Sequence, residues 1–405
     1  MQSSFTLRRC AARPFAISHL VSPGVLRGLI TATLVVLIQC PAVTATDRMI
    51  RVTDSEQDYV GRIVALTTTT CSLMDRQGKL LKLSVADLTG FERVADRFRP
   101  FPDNVFRDEL QKEFGGSYEV SGTTHYLVAA PRGRAAEYAR LFENIYREVE
   151  QFYRVRGFNV QEPDVPMVAV VFGSQREFAG YCQRDGVPPA RGLLGYYSLM
   201  SNRVALFDDA SLLKSVQRKP VGNSGGSPSA ADTTIAALAN VAGNTAATII
   251  HETTHQVGYN IGIHSRLGGT PVWVIEGLAT SLEPDAMRSK SGRNLQTDRL
   301  NQERHDWFNS KRSPRRAMGD LAKLIADDKY FHANTLDSYS ESWALTFFLL
   351  ENSSRRKNLA AYLHRLRQRD PLETYTAEQR LSDFQAEFGD ISRLEVEFMR
   401  FMERL

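Results

Sequence analysis

The chain has little cysteine, with four residues in 405, and this scarcity excludes a fold stapled by several disulfides. Removal of the first 45 residues would leave only Cys71 and Cys182, which could pair once or remain buried thiols. The chain also lacks an excess of either charge, because 50 basic residues are balanced by 46 acidic ones. It therefore has no electrostatic footprint for nucleic acid, and we interpret the basic runs at 311–316 and 355–357 as solvated surface.

The start of the chain lacks both acidic residues and a long apolar run. Residues 1–28 contain four arginines and no Asp or Glu. The apolar stretch Leu29–Ile38 that follows is shorter than the roughly 20 residues of a membrane-spanning helix. Small residues then lead to a cleavage site near Ala45. This pattern predicts a signal peptide at 1–45, export to the periplasm, cell surface or medium, and no stable membrane span after cleavage.

A lipid anchor is the alternative to simple cleavage. Leu37 and Cys40 have the spacing of a lipobox, but Ile38 and Gln39 between them are not the small residues that such a motif requires. We therefore prefer the exported form without an anchor.

Histidine is scarce as well, which makes one arrangement of it informative. With 8 histidines in the chain, a random sequence of this composition would contain His-Glu-x-x-His about one time in a hundred. His251 and His255 form this pattern around Glu252, inside a predicted helix that runs from Thr245 to Ile261. Both imidazoles leave one face of such a helix and can reach a single zinc ion.

The third ligand distinguishes between classes of zinc site, because catalytic zinc usually has three protein ligands and one open position. The three-histidine class needs a histidine ten residues after His251, and Ile261 stands there. Glu276 follows His255 by 21 residues, which is enough for a turn and a second helix that returns to the histidines. We predict Glu276 as the third ligand, with an ordinary acid at a helix N-terminus as the alternative.

The motifs together resemble a known group of enzymes. A helix with His-Glu-x-x-His and a second one with Glu-Gly-x-Ala resemble the gluzincins, the peptidase-MA-like division of zinc metallopeptidases. The stretch from His251 to Gln256, then 263–266, then Pro271 to Thr280 is similar to a bacterial peptidase-MA-like family described as a domain of unknown function. The resemblance covers roughly residues 120–365. It implies an α+β, zincin-like fold and a peptide or protein substrate of unknown sequence.

One position departs from the thermolysin-type pattern, which has an Asp four residues after the ligand Glu. Thr280 occupies that position here. A carboxylate that supports a ligand histidine must therefore come from elsewhere, and Glu283 and Asp285 are the candidates.

The resemblance assigns roles to the site residues. His251, His255 and Glu276 bind one Zn²⁺ per chain, and Glu252 is the general base that takes a proton from water. For the donor to the developing oxyanion, Tyr339 is the first candidate and His264 the second. The alternative for Tyr339 is packing at a helix start.

Two other functions remain open from the sequence. A catalytically inactive zinc-binding or cell-surface binding protein would keep the fold and lose turnover. A metal-dependent amidase would act on cell-wall peptides instead of proteins.

The chain divides into a small N-terminal part and a large main domain. Short strands and a hairpin signal at 46–98 predict a β-rich segment, with an SH3-like barrel as one form, which we interpret as a structural appendage. The metallopeptidase domain is predicted at 120–405, with a flexible insertion at 214–242.

Periodicity predicts the main elements of the large domain. Strands are expected at 125–130 and 165–172, a hairpin at 195–198 and 203–207, and helices at 134–156, 176–182, 314–326, 340–351, 359–367 and from Ser382 to the C-terminus. By resemblance, Arg203–Phe207 is a candidate edge strand for pairing with a peptide, with an ordinary core hairpin as the alternative.

Overall fold

The computed structural model describes residues 47–188, 193–208, 243–289 and 295–405. The predicted signal peptide at 1–45 and the predicted insertion at 214–242 lie outside these ranges. The described chain is a mixed α+β structure with a β-rich N-terminal region and a helical C-terminal part. Within these ranges, no helix is long and apolar enough to cross a membrane.

The N-terminal region is one antiparallel sheet of five strands in the order β4-β3-β2-β1-β5. Its strands are β1 (Met49–Thr53), β2 (Asp58–Leu66), β3 (Thr70–Asp75), β4 (Leu80–Ser84) and β5 (Gly90–Ala95). Ile50, Val52 and Leu73 form a small core of their own. The predicted β-rich character of 46–98 is confirmed, and the SH3-like barrel stays a prediction.

This sheet contacts the main domain at a few polar points. The backbone N–H of Leu80 donates to the carbonyl of Met200 at 2.7 Å. The guanidinium of Arg266 donates to the carbonyl of Gly78 at 2.8 Å and to that of Leu199 at 2.6 Å. Arg266 therefore joins the β3–β4 turn to the turn at 199–202.

The main domain is built on a second, mixed sheet in the order β6-β7-β8-β10-β9. Its elements are α1 (Asp103–Phe114), β6 (Tyr118–Gly122), β7 (Tyr126–Pro131), α2 (Ala135–Val155), β8 (Met167–Phe172), α3 (Gln175–Arg184), β9 (Gly195–Ser198) and β10 (Arg203–Phe207). The three central strands are parallel, and both edge strands are antiparallel to their neighbours. The predicted strands, helices and hairpin of this region are confirmed, with small shifts at their ends.

Successive side chains of β8 point to opposite faces of the sheet, and they are apolar on both, which explains why helices cover both faces. Met167, Ala169 and Val171 join the larger core with α2 and the C-terminal helices. Val168 and Phe172 join a second core with residues of α1 and α3. A strand that is buried on both faces has a continuous apolar sequence, as residues 167–172 do.

The prediction that Arg203–Phe207 is an edge strand is wrong. β10 pairs with β8 on one side and with β9 on the other, so both of its backbone edges are used. The chain passes through β9 first and then returns between β9 and β8. The edge beside the candidate site is therefore β9, Gly195–Ser198.

The rest of the main domain is helical. Its helices are α4 (Gly243–Asn260), α5 (Val272–Ser281), α6 (Asp285–Arg288), α7 (Gln302–Trp307), α8 (Asp320–Ala326), α9 (Asp328–Ala333), α10 (Thr335–Leu350), α11 (Ser353–Gln368), α12 (Ala377–Phe388) and α13 (Ile391–Met402). The predicted helices at 340–351 and 359–367 lie within or close to α10 and α11.

Two predicted helices have different limits in the structure. The predicted helix from Ser382 to the C-terminus is two helices, because Gly389 adopts a φ of 77° and the Asp390 side chain caps α13. The predicted helix at 314–326 begins only at Asp320, after Gly319 with a φ of 91°.

A buried ionic cluster joins α10 to the segment before α8. The Arg312 guanidinium contacts Glu341 at 2.7 Å and Asp320 at 2.9 Å, and Arg316 contacts Glu341 at 2.7 Å. Glu395 of α13 accepts backbone N–H groups of this segment. The interpretation of 311–316 as solvated surface is thus wrong for Arg312 and Arg316, because carboxylates from distant helices neutralise them.

Candidate metal centre

Helix α4 carries the histidines and is anchored to the second sheet by its polar side chains. The Gln256 amide donates to the carbonyls of Val168 and Asn202 at 3.0 and 2.8 Å. Ile249 and Val257 are buried in the larger core. These contacts fix the position of the helix and, with it, the positions of His251, Glu252 and His255.

Helix α5 brings Glu276 to the histidines because Gly277 allows a close approach to α10. A Cβ at Gly277 would lie 2.5 Å from the carbonyl oxygen of Ser342 and 2.2 Å from Oγ1 of Thr346. Only glycine permits this packing. The glycine of the Glu-Gly motif is therefore explained by the helix contact that sets the position of Glu276.

Three ligand atoms converge between α4 and α5. Nε2 of His251 lies 3.0 Å from Nε2 of His255, and these nitrogens lie 3.3 and 3.4 Å from Oε2 of Glu276. Ligands on a tetrahedral zinc ion at about 2.0–2.1 Å would be about 3.3–3.4 Å apart. Oε2 of Glu276 is buried and has no hydrogen-bond donor in the described chain. The spacing and this unpartnered oxygen fit a metal ion held by the three residues.

The charges of the cluster depend on one another. Burial raises the pKa of Glu276, but the positive charge of His255 and the contacts of both histidine rings with the carboxylate lower it by more, so the pKa lies well below its ordinary value. Burial lowers the pKa of His251, but hydrogen bonds to Glu276 and Glu283 bring it well above its ordinary value. A metal ion bound here would compete with protons for the same nitrogen and oxygen atoms.

Glu283 is the carboxylate that supports a histidine. Its Oε1 lies 2.8 Å from Nδ1 of His251, which leaves Nε2 of that ring directed at the cluster. Asp285, the other candidate, pairs with Arg288 instead. The hydroxyl of Thr280 donates to the carbonyl of Glu276 within the helix and does not replace the missing Asp.

Asn301 in turn holds the Glu283 carboxylate by a hydrogen bond. Its amide donates to Oε2 of Glu283 at 2.6 Å and to the carbonyl of Thr280 at 3.0 Å. It also caps α7 by accepting from the backbone N–H of Arg304. Sequence reasoning missed Asn301, and as a helix-capping asparagine it gives no signal of a role at the site.

Glu252 is held by the edge strand. Its Oε2 accepts a hydrogen bond from the backbone N–H of Tyr197 at 2.8 Å. The antiparallel register of β9 with β10 directs this N–H away from the sheet. The candidate base therefore contacts β9, which is the edge strand of this sheet in the described part of the chain.

Both candidate oxyanion donors lie next to the cluster. Tyr339 lies close to the Glu276 carboxylate, and burial together with the charges of Glu276 and Glu252 raises the pKa of Tyr339. His264 is buried, and burial and the positive charge of His255 lower its pKa to about 3. Its Nδ1 has no partner in the described chain. The structure thus brings both side chains to the site.

The two cysteines outside the predicted signal peptide take no part in the cluster. Cys71 and Cys182 are buried free thiols, one in each sheet region. Burial raises the pKa of Cys71 to about 11. Of the two possibilities that the sequence left open, the structure has thiols and no disulfide.

A family model matches part of the chain. Residues 245–373 match a family described as a protein of unknown function (DUF1570). The matched segment begins in α4 and ends after α11, so it includes the two histidines, Glu276, Glu283 and Tyr339. No curated protein matches the chain. The description of the family assigns no activity, so the chemistry must be argued from the site itself.

Proposed function

We propose that the protein is an exported, zinc-dependent metallopeptidase of the gluzincin type that hydrolyses peptide bonds. The observation that supports this most is the convergence of His251, His255 and Glu276 at the spacing of tetrahedral ligands, with Glu252 beside them. Two histidines and a carboxylate are the ligand set of several catalytic zinc sites, whereas structural zinc favours four closed ligands.

The residues of the cluster would bind one zinc ion through the two Nε2 nitrogens and the Glu276 carboxylate. When bound, zinc polarises a carbonyl group and lowers the pKa of water towards neutrality. Glu283 accepts from Nδ1 of His251 and so keeps the Nε2 nitrogen free of its proton and available as a ligand.

Glu252 takes a proton from the attacking water and delivers it to the leaving amine. The Tyr197 N–H fixes one of its oxygens and leaves the other for the water. The Tyr339 hydroxyl donates a hydrogen bond to the oxyanion that develops on the scissile carbonyl. Its raised pKa keeps the hydroxyl proton in place at neutral pH.

A peptide substrate would add to the sheet along β9. A strand that pairs with an edge is bound through main-chain hydrogen bonds, with little dependence on side chains. β9 is the edge on the side of Glu252, so a peptide bond held there lies beside the base. This assigns to Gly195–Ser198 the role that was predicted for Arg203–Phe207.

The test combines metal content with cleavage. Purified mature protein should contain close to one zinc per chain by atomic emission, and Glu276→Ala should deplete it. Glu252→Gln should retain the metal and lose hydrolysis of a mixed peptide library, with the fall in kcat/KM measured against wild type. Full zinc retention in Glu276→Ala would remove Glu276 as a ligand.

Parallel digestion of proteins and cell-wall peptides distinguishes the proposed peptidase from an amidase. Cleavage of cell-wall peptides alone would contradict a protein substrate. If the Glu252→Gln protein performs its biological role as well as wild type does, that role does not depend on catalysis. This outcome would favour a binding protein.

A further inference from the structure

A wide groove separates the end of α2 from the beginning of α11. Its volume is about 640 Å³, and none of its lining residues belongs to the candidate metal centre. One wall consists of residues 155–157 with Asn159. The other consists of the first three turns of α11 on the side that carries Ser353, Arg356, Lys357, Ala360, Ala361 and His364.

The groove is lined by cations without carboxylate partners. Among the described residues, Arg156, Arg356 and Lys357 form no ion pair. The hydrogen bonds of the two guanidinium groups go to single carbonyls, of Phe152 at 3.3 Å and of Leu350 at 3.1 Å. Each guanidinium has five N–H donors, so most of them remain available. Arginines elsewhere in this half of the molecule, such as Arg288 and Arg312, contact carboxylates directly.

The nearest acid does not neutralise the groove. Glu351 follows α10, and its carboxylate is held by Arg299 at 2.6 Å. Burial and the positive charges of Arg356 and Arg299 lower the pKa of Arg156 to about 10. A partly buried guanidinium beside other cations destabilises the folded protein unless a negative ligand binds near it.

The residues of the run 355–357 lie on different sides of helix α11. Arg355 lies over the Phe348 ring, 3.7 Å from its centroid, and donates to the Phe348 carbonyl. Arg356 and Lys357 line the groove instead. The interpretation of this run as solvated surface fits the exposed Lys357, whereas Arg355 packs on Phe348.

We propose that this groove binds a phosphate group, carried by a soluble phosphate ester or by a phospholipid head group. The planar guanidinium of an arginine matches two oxygens of a phosphate, and Lys357 adds a mobile point charge. The first turn of the 16-residue helix α11 contributes its positive end to the same space. Val155, Ala360 and Ala361 offer a small apolar wall for the remainder of the ligand, because the volume exceeds that of a single phosphate.

Calorimetric titration of the mature protein tests the proposal directly. Inorganic phosphate and glycerol phosphate should bind saturably at low ionic strength, while chloride at equal ionic strength should not. The double variant Arg156→Gln/Arg356→Gln should weaken phosphate binding at least tenfold. The charge-matched control Arg393→Gln/Arg400→Gln, on the exposed side of α13, should bind as wild type does. No saturable binding to either phosphate or vesicles, or an equal loss in both double variants, would overturn the proposal.

A second variant covers the case in which the double variant does not fold, because Arg156 and Arg356 also bind helix carbonyls. Lys357 is exposed, so Lys357→Gln should fold normally and weaken phosphate binding several-fold. An undiminished affinity in this variant would contradict the assigned site.

Vesicles distinguish the two sources of the phosphate group. The ligand would be a lipid head group if the wild-type protein sediments with phosphatidylglycerol vesicles but not with phosphatidylcholine vesicles. The double variant should then lose this sedimentation. Saturable binding of glycerol phosphate without sedimentation would assign a soluble ester. Neither measurement depends on peptide hydrolysis, so the groove and the metal centre can fail independently.

Discussion

Asn301 is linked to the candidate metal centre through two hydrogen bonds in series. It holds one oxygen of Glu283, and the other oxygen of Glu283 contacts Nδ1 of His251. A carboxylate that is fixed at both oxygens sets the ring orientation of the histidine, which sets the direction of Nε2. The precision of the site therefore depends on a residue that touches no ligand atom.

We expect Asn301→Ala to lower zinc affinity by about 10–100-fold, the usual effect of losing such an outer contact. The measurement is competition with a chelator at pH 7. Asn309→Ala is the matched control, because Asn309 is exposed and contacts only His305 among the described side chains. Equal affinities of Asn301→Ala and wild type would show that Glu283 holds His251 without help.

Tyr339→Phe tests the hydroxyl group alone. If this hydroxyl donates to the oxyanion, kcat should fall by about 10²–10³ while zinc content and KM stay close to wild type. If Tyr339 only packs against Phe331, from which its ring lies 5.1 Å away, the phenylalanine variant should keep its kcat.

The pairing of the two histidines could be predicted from the sequence because local geometry determines it. His251 and His255 share a helix face at any position of the helix in the fold. The partners Tyr197 and Asn301 could not be predicted, since a backbone N–H has no sequence signal and an asparagine has many roles. Glu283 was one of two candidates, and its 2.8 Å contact with His251 decides between them, while Asp285 pairs with Arg288.

At the scale of elements, the packing of α5 on α10 determines two parts of the site at once. Glu276 and Gly277 are adjacent on α5, and Tyr339 is on α10. The close approach at Gly277 brings the Tyr339 hydroxyl to the Glu276 carboxylate. A change in the distance between these helices would therefore move a ligand and a candidate donor together.

Gly277→Ala should destabilise the protein by about 1–3 kcal/mol, because the added methyl group meets the backbone of α10. It should also lower zinc affinity. Gly180→Ala is the control, since Gly180 lies in helix α3 and a Cβ there meets nothing within 4 Å. That variant should gain up to about 1 kcal/mol from helix propensity. Urea unfolding measures both, and equal effects of the two changes would contradict the packing argument.

Whether a segment forms a helix or a strand was largely predictable from the sequence. Which elements pack or pair beside it was not. The apolar spacing of 134–156 and the continuous apolar run at 167–172 give a helix and a strand in any fold. The position of β10 inside the sheet depends on the order of strands, which periodicity does not contain. The break at Gly389 was missed because an amphipathic pattern continues on both sides of it.

At the scale of the whole molecule, the ionic cluster around Glu341 ties the C-terminal helices together. Glu341 is completely buried and accepts from two arginines, and Asp320 completes the group. Loss of one partner of such a buried pair leaves a charge uncompensated, which costs about 3–5 kcal/mol. The helical part should therefore be sensitive to acid.

Asp320 allows this pH dependence to be assigned. Burial raises the pKa of its carboxyl, but the Ala317 N–H, Lys323 and Arg312 lower it well below its ordinary value. A lowered pKa contributes stability above the unfolded value of about 3.9, and that stability is lost as the pH falls further. Asp320→Asn should thus be less stable than wild type at pH 6 and lose less between pH 5 and 3. If urea unfolding shows that wild type and Asp320→Asn lose the same stability between pH 5 and 3, Asp320 is not the source of the acid sensitivity.

The contacts of the N-terminal sheet have a consequence for how the protein unfolds. Met200 and Leu199, which bind Leu80 and Arg266, lie in the turn that directly follows β9, the strand that holds Glu252. Loosening of the sheet would release this turn and, with it, one support of the candidate base. Calorimetry should therefore find a single cooperative transition for residues 47–405, with the small sheet and the large domain melting together.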